Sequence, residues 1–198
     1  MERLKQALEK RGFEVKTAAS TEQARQILLA ELRDAASVGI GGCVSVQQLD
    51  IVDELKKNGK NVFWHWLPAE PGVDARKEAM FSDVYLASAN AVTEDGKLLF
   101  IDGTGNRTAA IAFGPKRVIL VVGRNKIAPD EETAARRIRE KACPPNAKRL
   151  GLQTPCARTG FCADCANPKR FCNVFLKLER CPGSHPVEIL LVDEELGY

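Results

Sequence analysis

Short apolar runs alternate with amphipathic segments along most of the chain, and this alternation constrains the fold more than any other feature. The runs ASVGIGG (36–42), NVFWHW (61–66), DVYLASAN (83–90) and KRVILVVG (116–123) have the length and apolar character of buried strands. Strands that alternate with helical segments form parallel sheets. The sequence therefore predicts an α/β fold with a mainly parallel central sheet and helices on both faces.

Helix start signals mark the segments around these runs. Ser20 and Gln23 have the spacing of a capping box, and so do Ser45 and Gln48. The segment from 129 has a proline near its start, acids in its first turn and bases toward its end, which matches the helix dipole. The predicted helices are 1–12, 20–34, 45–59, 74–82, 106–114 and 129–143.

Two stretches depart from the alternation. An Asp-Gly turn between two extended stretches predicts a hairpin over 91–102. After residue 143 the sequence is rich in Pro, Gly and Asn, which predicts a long loop before strands at 173–179 and 187–192. Because no repeat or linker divides the chain, we expect a single domain over 1–198, with a cysteine-rich loop at 154–172.

Composition narrows the class of protein and its compartment. The chain has 198 residues, 44% hydrophobic and 28% charged, as in ordinary globular proteins. Its formal net charge of +3 is scattered and too small to indicate nucleic-acid binding. The first residues lack the apolar stretch of a secretory signal, and no later run is long enough for a membrane span. We expect a cytoplasmic protein, in which a disulfide framework is unusual.

Two glycine loops are the first candidate site. GIGGCVS (39–45) and DGTGNR (102–107) each lie between a predicted strand and a helix, where backbone N–H groups and the helix dipole can face an anion. The alternative is that tight turns of any α/β protein need glycine. Ligands of open α/β sheets bind beyond the strand ends, so we expect both loops at one crevice. Arg107 could reinforce that site or be a solvated first-turn residue.

The run GIGGCVSVQQLDI, the segment from SDVYLASAN to VVGRNKI and the stretch TPCARTGFCADC resemble the LUD-domain family. These are lactate-utilisation proteins of the LutC and YkgG type, and the resemblance covers nearly the whole chain. It implies a Rossmann-like sheet of the type found in phosphosugar isomerases (NagB and RpiA) and coenzyme-A transferases. It also implies an association with iron–sulfur lactate-oxidation machinery.

A more distant similarity concerns methylthioribose-phosphate isomerases, which have a catalytic aspartate where this chain has Asn90. An amide cannot exchange protons near neutral pH, so Asn90 counts against an isomerase. The family's Gly-Gly-Ser is here Gly-Gly-Cys, which leaves a thiol that is either a nucleophile or an inert buried group. The candidate ligand-binding residues are Gly39, Gly41, Gly42, Cys43, Ser45, Asn90, Gly103, Thr104, Gly105, Asn106 and Arg107.

Four of the seven cysteines form the second candidate site. The spacing of two residues between Cys162 and Cys165 lets neighbouring thiolates converge on one ion, and Cys156 and Cys172 lie close enough to complete four ligands. The resemblance favours an iron–sulfur cluster, whereas zinc, unliganded thiols and adventitious disulfides remain alternatives. A metal would also offset the entropy that ordering such a loop costs.

Three functions stay open. The first is an accessory metabolic protein that binds a small anion in the crevice and contacts iron–sulfur redox proteins. The second is a stand-alone isomerase or transferase, which predicts an ionisable residue with a perturbed pKa facing both glycine loops. The third is a non-catalytic assembly subunit, and a homo-oligomer also stays open. His65 is predicted to be a packed polar residue and His185 to be exposed.

Overall fold

A parallel sheet of six strands forms the centre of the structure, a computed structural model that describes residues 1–68 and 71–198. The strands are β1 (Glu14–Ala18), β2 (Ser37–Ile40), β3 (Asn61–Trp64), β4 (Val84–Ala87), β5 (Ala91–Thr93), β6 (Leu98–Asp102), β7 (Arg117–Gly123), β8 (Ile127–Ala128), β9 (Val174–Leu178) and β10 (Val187–Val192). The central sheet has the order β1-β10-β7-β4-β2-β3, and every neighbouring pair in it is parallel. The predicted Rossmann-like α/β architecture is confirmed.

The remaining strands form a second, smaller sheet in the order β8-β5-β6-β9. Strands β5 and β6 are antiparallel and joined through Asp95 and Gly96, so the predicted hairpin is confirmed. Gly96 has φ of 90°, a conformation that glycine adopts without steric cost. Strand β9 follows the cysteine-rich segment and pairs antiparallel with β6. The second sheet therefore ties that segment to the strand that leads into the second glycine loop.

The helices are α1 (Glu2–Lys10), α2 (Thr21–Glu31), α3 (Val44–Gln47), α4 (Val52–Lys57), α5 (Ala75–Met80), α6 (Asn106–Ala112), α7 (Glu131–Arg137), α8 (Cys143–Arg149) and α9 (Pro155–Thr159). A wider π-type turn at Ile138–Ala142 joins α7 to α8. The predicted cap of α2 is present, since Ser20 Oγ accepts from the Gln23 N–H at 3.2 Å. None of the described helices is long and apolar enough to cross a membrane.

The apolar strands lie at the middle of the central sheet, as their sequences predict. Residues 118–122 of β7 are 0–3% exposed, and alternate side chains enter two different cores. Val118 and Leu120 pack into one core, while Ile119 and Val121 pack into the other. Burying one such side chain contributes about 1.5–3 kcal/mol. The middle strands therefore fix the sheet, and helices cover both of its faces.

Three local expectations are wrong. Strand β1 lies between the helices predicted at 1–12 and 20–34, where no strand was expected. It is at the edge of the sheet, and two buried residues, Val15 and Ala18, among polar ones are too weak a pattern to predict a strand. The helix predicted over 45–59 is split into α3 and α4, because Asp50 between them has φ of 48°. The cap expected from Ser45 is absent, since Ser45 lies inside α3.

The loop expected after residue 143 is partly helical. Pro144 and Pro145 lie in the first turn of α8, where backbone N–H groups have no helical acceptor and proline is tolerated. The chain therefore continues as a helix to Arg149, and α9 gives part of the cysteine-rich segment regular structure. His185 is 8% exposed rather than solvated, and it lies two residues before β10, a strand of the central sheet.

Candidate functional site

A cavity of about 280 Å³ lies beyond the carboxyl ends of four parallel strands. Each of these strands is followed by residues that line the cavity. They are Gly42 and Cys43 after β2, His65 after β3, Ser88 and Asn90 after β4, and Lys126 after β7. Carboxyl ends of parallel strands meet at one edge of a sheet, which is where ligands of open α/β sheets bind. The second glycine loop, helix α8, residues 197–198, Arg76 and Phe171 also contribute to the wall.

The first glycine loop uses its glycines mainly for packing. A Cβ on Gly39 would lie 2.4 Å from the Ala79 carbonyl oxygen, and one on Gly41 would lie 2.8 Å from the Tyr85 hydroxyl. Neither residue lines the cavity, whereas Gly42 does. These two glycines let β2 approach helix α5 and β4 closely, so the interpretation as tight packing applies to them.

The second glycine loop directs its backbone donors at its own aspartate. The Asp102 carboxylate accepts hydrogen bonds from the N–H groups of Gly103 at 2.7 Å, Arg107 at 2.9 Å and Thr108 at 3.1 Å. An anion would have to displace this carboxylate to use those donors. Gly105 has φ of 87° at the start of α6 and is not part of the wall. The loop therefore shapes the cavity but does not offer these three donors.

Thr104 and Asn106 line the cavity from the same loop. The Thr104 hydroxyl donates to the Asn106 side-chain oxygen at 2.6 Å. The two side chains therefore stabilise one another's position at the edge of the cavity.

Arg107 connects the two glycine loops. Its Nη1 donates to the Gly42 carbonyl oxygen at 3.0 Å, and its Nη2 donates to the Ile101 carbonyl oxygen and to Asn90 Oδ1. Its buried Nε has no hydrogen-bond partner in the part of the chain that the structure describes. The guanidinium thus brings positive charge to the cavity wall while most of its N–H groups stabilise the protein itself.

Asn90 is held between the same elements. Its side-chain oxygen accepts from the Ile101 N–H at 2.9 Å and from Arg107 at 3.2 Å. These contacts join the end of β4 to β6 and to helix α6. The amide therefore positions Arg107, a role that needs an acceptor but no proton transfer.

Lys126 is the most deeply buried cation of the wall, with 4% exposure. Its Nζ donates to Ser45 Oγ and to Ser88 Oγ, both at 2.7 Å. Burial lowers the pKa of Lys126 to about 8, and the positive charges of Arg137 and Arg107 act in the same direction, against the charge of Cys43. The pKa of this amine therefore lies well below that of an ordinary lysine. The candidate ligand-binding residues predicted from the sequence do not include Lys126.

His65, Trp66 and Arg149 form another part of the wall. Burial lowers the pKa of His65, and the nearby charges of Arg76, Arg107 and Arg149 also lower it, against Asp102. The imidazole is therefore neutral at pH 7. The Arg149 guanidinium lies 4.5 Å from the centre of the Trp66 ring, a cation–π contact that fixes its position. His65 is half-buried, so it lines the cavity and is not simply packed into the core.

Cys43 and Ser45 lie where the first loop enters α3. Cys43 is at the helix N-cap, is 6% exposed and lines the cavity. Ser45 is 1% exposed, and its hydroxyl donates to the Leu196 carbonyl oxygen at 3.2 Å. Helix α3 has only four residues, so its dipole supplies little field at the thiol. The contact of Ser45 with Lys126 is the stronger feature of this loop.

The four cysteines predicted to bind metal, Cys156, Cys162, Cys165 and Cys172, lie outside the cavity wall and are free thiols. A fifth thiol, Cys143, lies on the wall and packs with Phe171 and Cys172 in one apolar cluster. Burial, followed by the charges of Cys172, Cys162 and Cys156, raises the pKa of Cys143 to about 12. Sequence reasoning placed Cys143 at the end of a helix and missed this neighbourhood.

Within residues 1–68 and 71–198, no group of three or more His, Cys, Asp and Glu side chains is arranged to hold a metal ion. The Thr154 hydroxyl and Cys156 Sγ are 3.4 Å apart, and Arg170 donates to the backbone oxygens of Cys165 at 2.6 Å and Cys172 at 3.1 Å. The predicted thiols are neighbours along one segment, but in this structure they do not form a group arranged to hold a metal ion.

The cysteine segment contacts the second glycine loop directly. A Cβ on Gly103 would lie 2.8 Å from the Phe171 carbonyl oxygen. The Asn173 N–H donates to the Asp102 carbonyl oxygen at 2.8 Å, and its side chain donates to the Gly103 carbonyl oxygen at 3.1 Å. Gly103 is thus required for this close approach, and Phe171 forms part of the cavity wall.

Comparison with known proteins agrees with this architecture. The model of the LUD domain family matches residues 1–192. The chain is similar to the crystal structure of a DUF162 family protein from Deinococcus radiodurans, with 12% identity, a TM-score of 0.53 and coverage of 96% of this chain and 94% of that chain. At that identity the similarity shows the fold alone. A search of curated proteins finds no match. Because the family model spans nearly all of the sequence, this chain belongs to the LUD-domain family.

Proposed function

We propose that this LUD-domain protein is an accessory component of lactate utilisation or related redox metabolism, and that its cavity binds a small anion. The charge of the cavity wall carries the proposal. Arg76, Arg107, Lys126 and Arg149 are cationic, whereas Asp102 is the acid on the wall and already accepts three backbone hydrogen bonds. A cleft lined by one sign of charge concentrates ligands of the opposite sign.

The dimensions of the cavity favour a small ligand. Its volume of about 280 Å³ lies just below the range for small-molecule sites, which begins at ~300 Å³. A short carboxylate or a small phosphorylated compound has that size. Lactate, pyruvate, oxalate and inorganic phosphate are therefore suitable probes.

Calorimetric titration of the native chain with these four anions tests the proposal. We expect binding of at least one of them, weakened by about 3- to 10-fold in Arg76→Gln and in Arg149→Gln, since each substitution removes one charge from the wall. Arg158→Gln in the exposed part of the cysteine segment is the matched control and is expected to bind as the native chain does. Absence of binding for all four anions, or equal weakening in the control, contradicts the proposal.

We also propose that the cysteine segment holds a metal centre, either an iron–sulfur cluster or zinc. Five thiols support it, since Cys143 adds to Cys156, Cys162, Cys165 and Cys172 in one region and none of them is disulfide-bonded. Because the described thiols are not arranged to hold an ion in this structure, binding requires residues 154–172 to rearrange around the ion. Metal–thiolate bonds are strong enough to order a segment of this kind.

Anaerobic reconstitution with iron and sulfide, and separately with zinc, tests the metal centre. We expect stoichiometric uptake of one of the two by the native chain and its loss in Cys162→Ser and Cys165→Ser. Cys181→Ser provides the matched control, because Cys181 packs against the core around Leu8 rather than in the cysteine segment. Uptake below one equivalent, or equal uptake by all variants, contradicts the metal centre.

A stand-alone enzyme remains the second candidate, and one observation favours it. That hypothesis requires an ionisable residue with a perturbed pKa facing both glycine loops, and Lys126 and His65 both have lowered pKa values and line the cavity between those loops. Asn90 excludes only mechanisms in which the side chain at position 90 itself donates or accepts a proton. Turnover of candidate substrates by the purified chain, without any partner protein, distinguishes this function from an accessory role.

A further inference from the structure

The amine of Lys126 has an unusual environment. It is buried at the cavity wall, and no carboxylate contacts it among the described residues, although buried lysines are ordinarily paired with an acid. Its partners are two neutral hydroxyls, those of Ser45 and Ser88. The usual structural reason for a buried lysine, an ion pair, therefore does not account for it.

The two serines are oriented as acceptors toward the amine. Ser45 Oγ donates its proton to the Leu196 carbonyl oxygen at 3.2 Å, and Ser88 Oγ donates to the Ala89 carbonyl oxygen at 3.1 Å. Their lone pairs thus face Nζ at 2.7 Å from two directions. This arrangement holds the nitrogen at a fixed point in a residue that lines the cavity.

We propose that Lys126 forms an imine with a carboxylate that carries an aldehyde or ketone, so that the cavity is a site for covalent catalysis on oxo acids. The inference rests on the proposed anion site, because the cationic wall would hold the carboxylate of such a substrate. It assigns Lys126 as the catalytic nucleophile, with Ser45 and Ser88 as positioning residues.

The step is balanced without any further reactant. The lone pair of neutral Nζ attacks the carbonyl carbon, the electron pair of the C=O bond moves to oxygen, and a proton transfers from nitrogen to that oxygen to give a carbinolamine. Loss of hydroxide with a second proton releases one water molecule and leaves the C=N bond. Protonation of the imine then makes it an electron acceptor for cleavage of a bond at the adjacent carbon.

The charges around Nζ support this chemistry. Burial, with Arg137 and Arg107 acting in the same direction and Cys43 opposing, lowers the pKa of Lys126 to about 8. At pH 8 about half of such an amine is neutral, a fraction on the order of a hundredfold larger than for an ordinary exposed lysine. Desolvated lysines near other cations are the ones that serve as amine nucleophiles.

Reductive trapping tests the proposal. The native chain is incubated with glyoxylate or pyruvate at pH 8, reduced with sodium borohydride and examined by intact mass and peptide mapping. We expect one reduced adduct per chain, located on Lys126, with at least about tenfold higher occupancy there than on any other lysine. Oxalate, which has carboxylates but no aldehyde or ketone, is expected to suppress the adduct by competition.

Matched variants complete the experiment. Lys126→Arg keeps the charge but cannot form an imine, and it should lose the adduct, whereas Lys116→Arg, on the surface beside Asp83, should retain it. The adduct mapped on the native chain stands even if Lys126→Arg fails to fold. No adduct, or adducts spread evenly over the lysines without protection by oxalate, overturns the imine. Anion binding by calorimetry is measured on the same protein, so failure of the anion site is detected separately.

Discussion

The cavity wall and the cysteine segment adjoin one another, yet they are stabilised in different ways. In the wall, Ser45 and Lys126 are almost fully buried and bond to one another, on elements that follow strands of the central sheet. In the segment, Phe161 is 75% exposed and the four cysteines are only half-buried. A site built on strand ends is preorganised by the core, whereas a segment with little buried apolar surface needs an additional cross-link to become rigid.

The polar contacts of the cysteine segment are mostly local. Arg170 donates to the Cys165 and Cys172 backbone, and the Asn167 side chain donates to the Gln153 carbonyl oxygen at 2.9 Å. Each such bond contributes about 0.5–1.5 kcal/mol, less where water competes. We therefore expect the backbone amides of residues 154–172 to exchange with solvent faster than those of β4 and β7.

The largest expected difference is between Gly39, in the strand β2 that leads into the cavity wall, and Gly160, in the cysteine segment. Gly39→Ala should destabilise the protein by about 3 kcal/mol or more, because its Cβ would lie 2.4 Å from the Ala79 carbonyl oxygen. Gly160→Ala should cost only ~1 kcal/mol, since φ of 78° is its only obstacle and no atom lies within 4 Å. Urea unfolding of both variants measures the difference. Equal losses would show that the cysteine segment is as tightly constrained as strand β2, which leads into the cavity wall.

A smaller effect is expected from the arginines. Arg107→Met should cost about 2 kcal/mol, because it removes charged hydrogen bonds and leaves the Gly42 and Ile101 carbonyl oxygens without that donor. Arg158→Met, on the exposed surface of α9, should change the free energy of unfolding by less than about 0.5 kcal/mol. Thermal unfolding monitored by circular dichroism provides the measurement. An unchanged free energy of unfolding in Arg107→Met would mean that the two glycine loops hold together without the hydrogen bonds of Arg107.

The smallest effect is a pH dependence of anion binding. The pKa of Lys126 is lowered to about 8, so the ammonium is present below pH 8 and is lost above it. Affinity for an anion should therefore fall by about 3- to 10-fold between pH 7 and pH 9, as one charge leaves the wall. Lys126→Arg keeps its charge and should bind with equal affinity at both pH values. Calorimetry that shows the same decrease in both proteins would assign the dependence to another group.

The sequence predicts the central strands and most helices because buried positions appear in it as apolar residues with a regular spacing. The strand around Val118–Val122 is recognisable since every residue is apolar, as a strand covered on both faces requires. Strand β1 is not recognisable, because an edge strand with Glu14 and Lys16 has no such pattern. The π-type turn before Cys143 has no sequence signal of its own, so the continuation to Arg149 could not be foreseen.

The sequence predicts where the candidate site lies, but it does not predict which side chains line it. Glycine loops indicate the sheet edge, yet the side chains gathered there come from the ends of several strands that are distant in sequence. His65, Ser88 and Lys126 each follow a parallel strand, and this position is the one signal that could have identified them. The role of Asp102 as an acceptor for its own loop depends on three-dimensional geometry that no motif encodes.

Phe171 belongs to both regions, since its backbone abuts Gly103 and the residue itself lines the cavity. Cys172 is the next residue, so a movement of Cys172 is expected to shift Phe171 and with it the cavity wall. If the proposed metal centre and anion site are coupled through Phe171, the coupling is reciprocal: a ligand in the cavity alters the affinity of the thiols for a metal by the same factor that the metal alters the affinity for the ligand. The fraction of cavities that hold a ligand would then depend on whether the cysteine segment is oxidised or bound to a metal.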